Sequence, residues 1–173
     1  MRLSDLLEKI ASGDPAPASG SASAVVVATS AALLQKVATR SPKWEGAAAA
    51  HARAEALRLH SEELVEQDSV AYLAYVEAVR SGKDEEAARG RTIEIPLGIV
   101  RVAAEVVELA GQLAVHGNRN LHADAVIAAI LANAAAESAA LLVAVNVEDA
   151  DDPRLDEASE LAERSEAGKD SLR

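Results

Sequence analysis

Asp68 is the residue whose type and spacing most invite chemistry. It lies four positions after Leu64 and three before Ala71, so on a helix it shares a face with Leu57, Leu64, Ala71, Tyr72, Tyr75 and Val79. Glu62, Glu63, Glu66 and Gln67 point away from that stripe. A carboxylate carried into an apolar interior must be paired, hydrogen-bonded or protonated. One reading is a structural aspartate, held by a buried arginine or a backbone partner or standing at an edge position that is simply wet. The other is a desolvated acid whose pKa is lifted toward neutrality, the state that general acid/base catalysis needs.

Two polar segments are candidates to supply the rest of a site. The first, Ser12–Ser21, is a loop of Gly, Pro, Ser and Ala in which Pro15 and Pro17 exclude regular helix. It runs straight into Ala22–Leu34, nearly continuous Ala, Val and Leu, which reads as a helix buried on most sides. Ser19, Gly20 and Ser21 therefore stand where unpaired backbone N–H groups begin, an end that attracts negative charge and that glycine leaves open to close approach. The second segment is His116–Asp124, HGNRNLHAD. Asn118 and Asn120 suit turn and capping positions, and Asp124 falls in the first turn of the next helix, where a negative charge is favourable.

These groups need helices to position them, and the rest of the chain reads as helix. Leu3, Leu6, Leu7 and Ile10 predict a short helix to about Ala11, stopping at Gly13. Residues 47–80 contain neither Pro nor Gly and form one long helix ended by Gly82. A further helical pattern runs from near Asp84 to His116, and Pro96 either kinks it or divides it in two. Ala125–Val147 is apolar on nearly all sides apart from Asn133, Glu137 and Asn146, and Asp152 caps a last helix with Pro153 at its first position. No strand pattern, repeat or linker appears. The expectation is an all-α fold, one domain over residues 1–173, of about six helices.

Composition limits the partners. Hydrophobic residues make up 50% of the chain but aromatics only 2%, with no Phe, so the core must be built from Ala, Val, Leu and Ile. Small side chains bury little area, and burial contributes roughly 25 cal/mol per Å², so self-association is expected. The formal charge of −11 argues against a nucleic-acid partner. An anionic ligand would need a local basic patch, for which Lys36, Arg40 and Lys43 are nearest the loop in sequence. Absence of cysteine removes disulfides and thiolates, and a cytoplasmic location without a secretory signal is expected. Ala22–Leu34 is too short to span a membrane, and Asn133 and Glu137 interrupt Ala125–Val147, so no membrane span is expected. The histidines lack metal-site spacing, and no phosphate or dinucleotide glycine motif is present, which leaves cofactor-free acid/base chemistry or simple binding.

Taken together, these motifs resemble the cyclodeaminase/cyclohydrolase family, small helical dimeric enzymes of one-carbon folate metabolism. Ser12, Gly13, Pro15, Pro17, Gly20 and Ser21 resemble its SG-x-P-x-PGGGS loop, and Lys43–Trp44 its Lys-aromatic pair. Asp68, Ala71 and Tyr72 resemble its D-x-x-A-aromatic motif, and Ile95–Leu97 its VPL. Gly117, Asn118, Asn120 and Asp124 resemble its GN-x-N-x-x-SD turn, and Asn146 a late asparagine. The resemblance implies a homodimer acting on a tetrahydrofolate derivative as substrate, with no cofactor and no metal. Asp68 would be the acid/base. Pro17, Ser19, Gly20, Ser21, Lys43, Tyr72, Asn118, Asn120 and Asp124 would hold the folate across the dimer interface, with Lys43 meeting its glutamate carboxylate. Formiminotetrahydrofolate cyclodeamination is the first expectation and methenyltetrahydrofolate cyclohydrolysis the alternative. Ala18 and Ser19 replace two loop glycines, and Ala123 a serine. If the loop needs positive φ or close approach at that point, the Ala18 Cβ obstructs it, and a non-catalytic binder or helical dimer of the family is the further alternative.

Overall fold

The computed structural model describes residues 2–172. Among them there are six α-helices and no strand: α1 (Leu3–Ile10), α2 (Ser19–Thr39), α3 (Ala47–Ser81), α4 (Glu85–His116), α5 (His122–Asn146) and α6 (Pro153–Asp170). A 3₁₀ turn, Arg119–Leu121, precedes α5. The all-α expectation holds. α2 begins earlier and ends later than its apolar run suggested, reaching 21 residues. Its length therefore does not argue against a span: α2 and the segment Arg119–Asn146 are both long and apolar enough to cross a membrane, although 44% of each apolar window is buried inside the protein.

Helices α2 to α5 form an up-and-down bundle. Ser21 meets Asp68 at one end of the α2/α3 pair and Gln35 meets Arg58 further along, so these helices are antiparallel. α2 and α5 are antiparallel as well, with Lys36 on Asp124 at one end and Gly20 sharing a cavity with Leu142 and Asn146 at the other. α6 runs beside α4, pairing Glu157 with Arg101 and placing Gly168 against Val107. Asp152 caps α6 by accepting a hydrogen bond from the Arg154 N–H at 2.9 Å, with Pro153 behind it.

The core is made of small residues. Ala24, Ala31, Ala54, Ala103, Ala110, Ala128, Ala129, Ala132, Ala136 and Ala139 are fully buried, interleaved with Leu34, Val37, Ile99, Val100 and Val106. Methyl side chains let helix axes approach closely, and dispersion contacts between backbones replace those that large side chains would make.

The long stripe of α3 divides in two. Leu57, Leu64 and Ala71 are buried as expected, but Tyr72 and Val79 are 42% and 49% exposed. The reason is length. Asp68 stands opposite the first turn of α2, so the last 13 residues of α3 overhang that helix by about 20 Å and lose its cover. Gly82 ends α3 in the left-handed conformation, at φ 67°, as its position suggested. Pro96 sits inside one continuous α4 and does not divide it.

The close packing makes a direct prediction. Ala132, fully buried on α5, has no room for a larger side chain. Ala132→Leu is expected to cost about 2 kcal/mol, seen as a lower urea midpoint at unchanged slope.

Candidate active site

The loop ahead of α2 ends at Ala18, which occupies the cap position without a side chain able to cap. Ser19 is the first helical residue, and its carbonyl accepts from the Ser23 hydroxyl at 2.9 Å. Asp68 reaches from α3 to the α2 N-terminus, where its Oδ2 accepts the Ser21 hydroxyl at 2.8 Å. Ser69 Oγ lies 3.1 Å from Ser21 Oγ, which can accept from it while donating to Asp68.

Gly20 makes this contact possible. A Cβ there would fall on the Asp68 carboxylate. Close approach is thus required at Gly20 and not at Ala18, whose φ of −140° lies on the side of the map open to any residue. The obstruction expected from the Ala18 Cβ does not occur in the backbone.

Asp68 is half-buried and has no cationic partner among the described residues. Burial pushes its carboxyl above the ordinary value, and the Ser21 hydroxyl and N–H offset this only in part. The structural alternative of a buried arginine is therefore excluded by the geometry, while a hydrogen-bonded acid is what remains. The carboxyl faces a cavity of about 180 Å³ lined by Pro15, Ala16, Ala18, Ser19, Gly20, Tyr72, Thr92, Pro96, Leu142 and Asn146. One wall is the start of the α3 overhang, another the N-terminal part of α4, and the third the end of α5.

Of the expected site residues, Ser19, Gly20, Ser21 and Tyr72 gather around Asp68. Pro17 does not line this cavity; it borders a separate groove with Val65, Ser69, Val70 and Leu73. Lys43, Asn118, Asn120 and Asp124 lie at the other end of α2. Gly20 and Lys36 are separated by about 24 Å of helix, and Lys36 Nζ binds Asp124 Oδ2 at 2.8 Å. Lys36 is thus engaged by Asp124, and with Arg40 and Lys43 it forms no patch beside the loop in the same subunit. Asn118 makes three local hydrogen bonds. Its Nδ2 donates to the Arg40 carbonyl at 2.9 Å, its N–H to Ser41 Oγ at 2.8 Å, and its Oδ1 accepts from the Asn120 N–H at 3.0 Å. Trp44 stacks on His116, with ring centroids 5.6 Å apart, and so ties the Lys43 segment to the same end.

Thr92 and Leu142 were not singled out by sequence reasoning. Leu142 is one apolar residue among many on α5 and carries no distinguishing signal. Thr92 does have one, since it stands four residues before Pro96 and its carbonyl lacks the donor a helix normally supplies.

A family model described as Formiminotransferase-cyclodeaminase matches residues 2–165. The chain belongs to this family. A methenyltetrahydrofolate cyclohydrolase of Methylorubrum extorquens is 32% identical over 165 residues, covering 84% of this chain and 79% of the relative. The formiminotetrahydrofolate cyclodeaminase of Thermotoga maritima superimposes with a TM-score of 0.87 at 25% identity, covering 99% of this chain and 91% of that one. Family membership thus agrees with the resemblance carried by the Asp68 motif and the two polar turns.

The raised Asp68 pKa has a thermodynamic consequence. Between the ordinary value of 3.8 and the higher folded value, the native state holds a proton that the unfolded chain has lost. Stability contributed by this group is complete below 3.8 and declines as pH rises through the folded pKa. Urea midpoints measured across that window are expected to fall with pH more steeply in the wild type than in Asp68→Asn, the two converging in acid.

Proposed function

We propose that the protein is a formiminotetrahydrofolate cyclodeaminase that uses Asp68 as its acid/base. The formimino group enters protonated, as an amidinium; N10 of the substrate attacks its carbon, forming a C–N bond and giving up its proton to the carboxylate while the formimino nitrogen becomes an amine. The C–N bond to the departing nitrogen then breaks as the carboxyl returns the proton, and ammonia leaves while the methenyl bridge between N5 and N10 closes. A single group that both takes and gives a proton serves this sequence, and burial that raises the carboxyl above its ordinary value makes it a better proton acceptor without removing its ability to return the proton. The substrate is the only folate required and no cofactor enters the proposal. The observation that carries the reading is a half-buried acid without a cation, held by Ser21 at the edge of a cavity, in a chain of this family.

A second reaction is favoured by the 32% identical relative, which is named a methenyltetrahydrofolate cyclohydrolase. Here water adds to the methenyl carbon with one proton passing to Asp68; the carboxyl then protonates N5 as its C–N bond breaks, and the hydroxyl gives its remaining proton to solvent as the formyl C=O forms, yielding 10-formyltetrahydrofolate. The two reactions are read at one chromophore, which appears from formiminotetrahydrofolate in the first and decays from added methenyltetrahydrofolate in the second. Asp68→Asn is expected to lower the operative rate at least about 100-fold. Undiminished turnover in that variant removes Asp68 from the mechanism.

The cavity is smaller than the roughly 300–1,000 Å³ typical of sites that enclose a whole ligand. We propose that a second copy of the chain completes it. The outward side of α5 presents Ile127, Ile130, Leu141 and Val145, at 46%, 37%, 64% and 69% exposure, beside Ala22, Val26 and Leu33 of α2. This face begins next to Leu142 at the cavity. A two-fold axis perpendicular to α2 and α5 sets each helix antiparallel to its copy, and so carries Lys43 and the Asn118–Asp124 turn of one subunit toward Asp68 of the other. Sedimentation is expected to give a dimer for the wild type and a folded monomer for the double variant Ile130→Glu, Leu141→Glu, with activity lost in parallel. A wild-type monomer with full activity would overturn this arrangement.

A further inference from the structure

Pro96 has no N–H, so the carbonyl four residues earlier, on Thr92, is denied its partner within α4. Asn146, at the last position of α5, donates its Nδ2 to that carbonyl at 2.7 Å. A carbonyl oxygen only accepts, so the contact settles the sense of the Asn146 amide: nitrogen toward Thr92, oxygen away from it. The Oδ1 atom takes no hydrogen bond from any described residue and is not among the fully enclosed polar atoms, and Asn146 lines the cavity that Asp68 faces.

We infer that Asn146 is a specificity-determining residue that accepts a hydrogen bond from an N–H group of the substrate, its amide locked in that sense by the carbonyl that Pro96 leaves free. The inference deepens the reading of this cavity as a substrate site and rests on it. Pro96 and Thr92 are positioning residues: they act through Asn146. An asparagine free to turn could greet a donor or an acceptor equally well. Anchored by one Nδ2 proton, it offers Oδ1 to an amine, amidine or lactam N–H, and Oδ1 faces a carbonyl or carboxylate oxygen placed at the same point as a second acceptor; the other Nδ2 proton is the one donor it retains. The two polar groups then divide the ligand between them, Asn146 reading a hydrogen donor and Asp68 exchanging a proton.

Two roles for Asn146 can be separated because the helix offers a substitute for one of them. Asn146→Leu removes both the anchor on Thr92 and the acceptor in the cavity. It is expected to lower the urea midpoint and to raise KM for formiminotetrahydrofolate about tenfold with kcat little changed, as loss of an interaction common to ground and transition states requires. Adding Pro96→Ala gives α4 back an N–H that bonds the Thr92 carbonyl. The double variant is expected to recover the urea midpoint while its KM stays high. Recovery of KM together with stability would make Asn146 a structural clasp and overturn the inference, as would an unchanged KM in Asn146→Leu. Both of those outcomes leave the wild-type activity intact. A wild type that neither binds nor converts reduced folates, tested by titration with tetrahydrofolate, overturns the cyclodeaminase reading and this inference with it.

Discussion

The contact of the Asp68 carboxylate with the first turn of α2 organises this molecule. It stands at the start of a helix whose own cap position is an alanine, it joins α2 to α3, and it leaves an acid at a cavity without a cation to neutralise it among the described residues. The opposing influences are unequal. A helix N-terminus and the Ser21 donors favour the ionised form, yet burial outweighs them and holds the carboxyl above its usual range. Gly20 is the condition for all of this, because any side chain at that position would occupy the space of the carboxylate.

The material of the core explains why such a contact can form. Alanine-rich faces bring α2, α4 and α5 close together, so that residues from four helices, α2 to α5, share one small cavity. The same economy of side chains leaves apolar residues on the outer faces of α2 and α5, since there are no large aromatics to gather that surface inward. A bundle of this kind gains stability by covering those faces. That requirement coincides with the small volume of the cavity, and the proposed pairing of two copies would meet both.

Helix α2 also acts as a spacer. Its 21 residues hold the Asp68 end and the Asn118–Asp124 turn apart, and the Lys36–Asp124 pair together with the Asn118 contacts to Arg40 and Ser41 secures the distal end. Within one subunit the two polar turns are structural at one end and chemically open at the other. Pro96 introduces a comparable division in α4, where a lost helical hydrogen bond is replaced by a contact from Asn146 that ties the end of α5 to the cavity wall.

Much was legible in the residues alone. Long runs without Pro or Gly, Gly82 at a helix end, Asp152 followed by Pro153, and an acid set within an apolar stripe are local signals, and local signals suffice because helix formation depends on neighbours within a turn or two. The order of motifs likewise carried the family. What lay beyond reach was register between distant segments. That Asp68 meets Gly20 while Tyr72 and Val79 project past the end of α2, that Pro17 turns to a different groove, and that Pro96 is absorbed by Asn146 all follow from how far antiparallel helices slide along one another. Sliding is decided by the fit of small side chains across interfaces many residues apart in sequence, so only the packed tertiary structure could decide it.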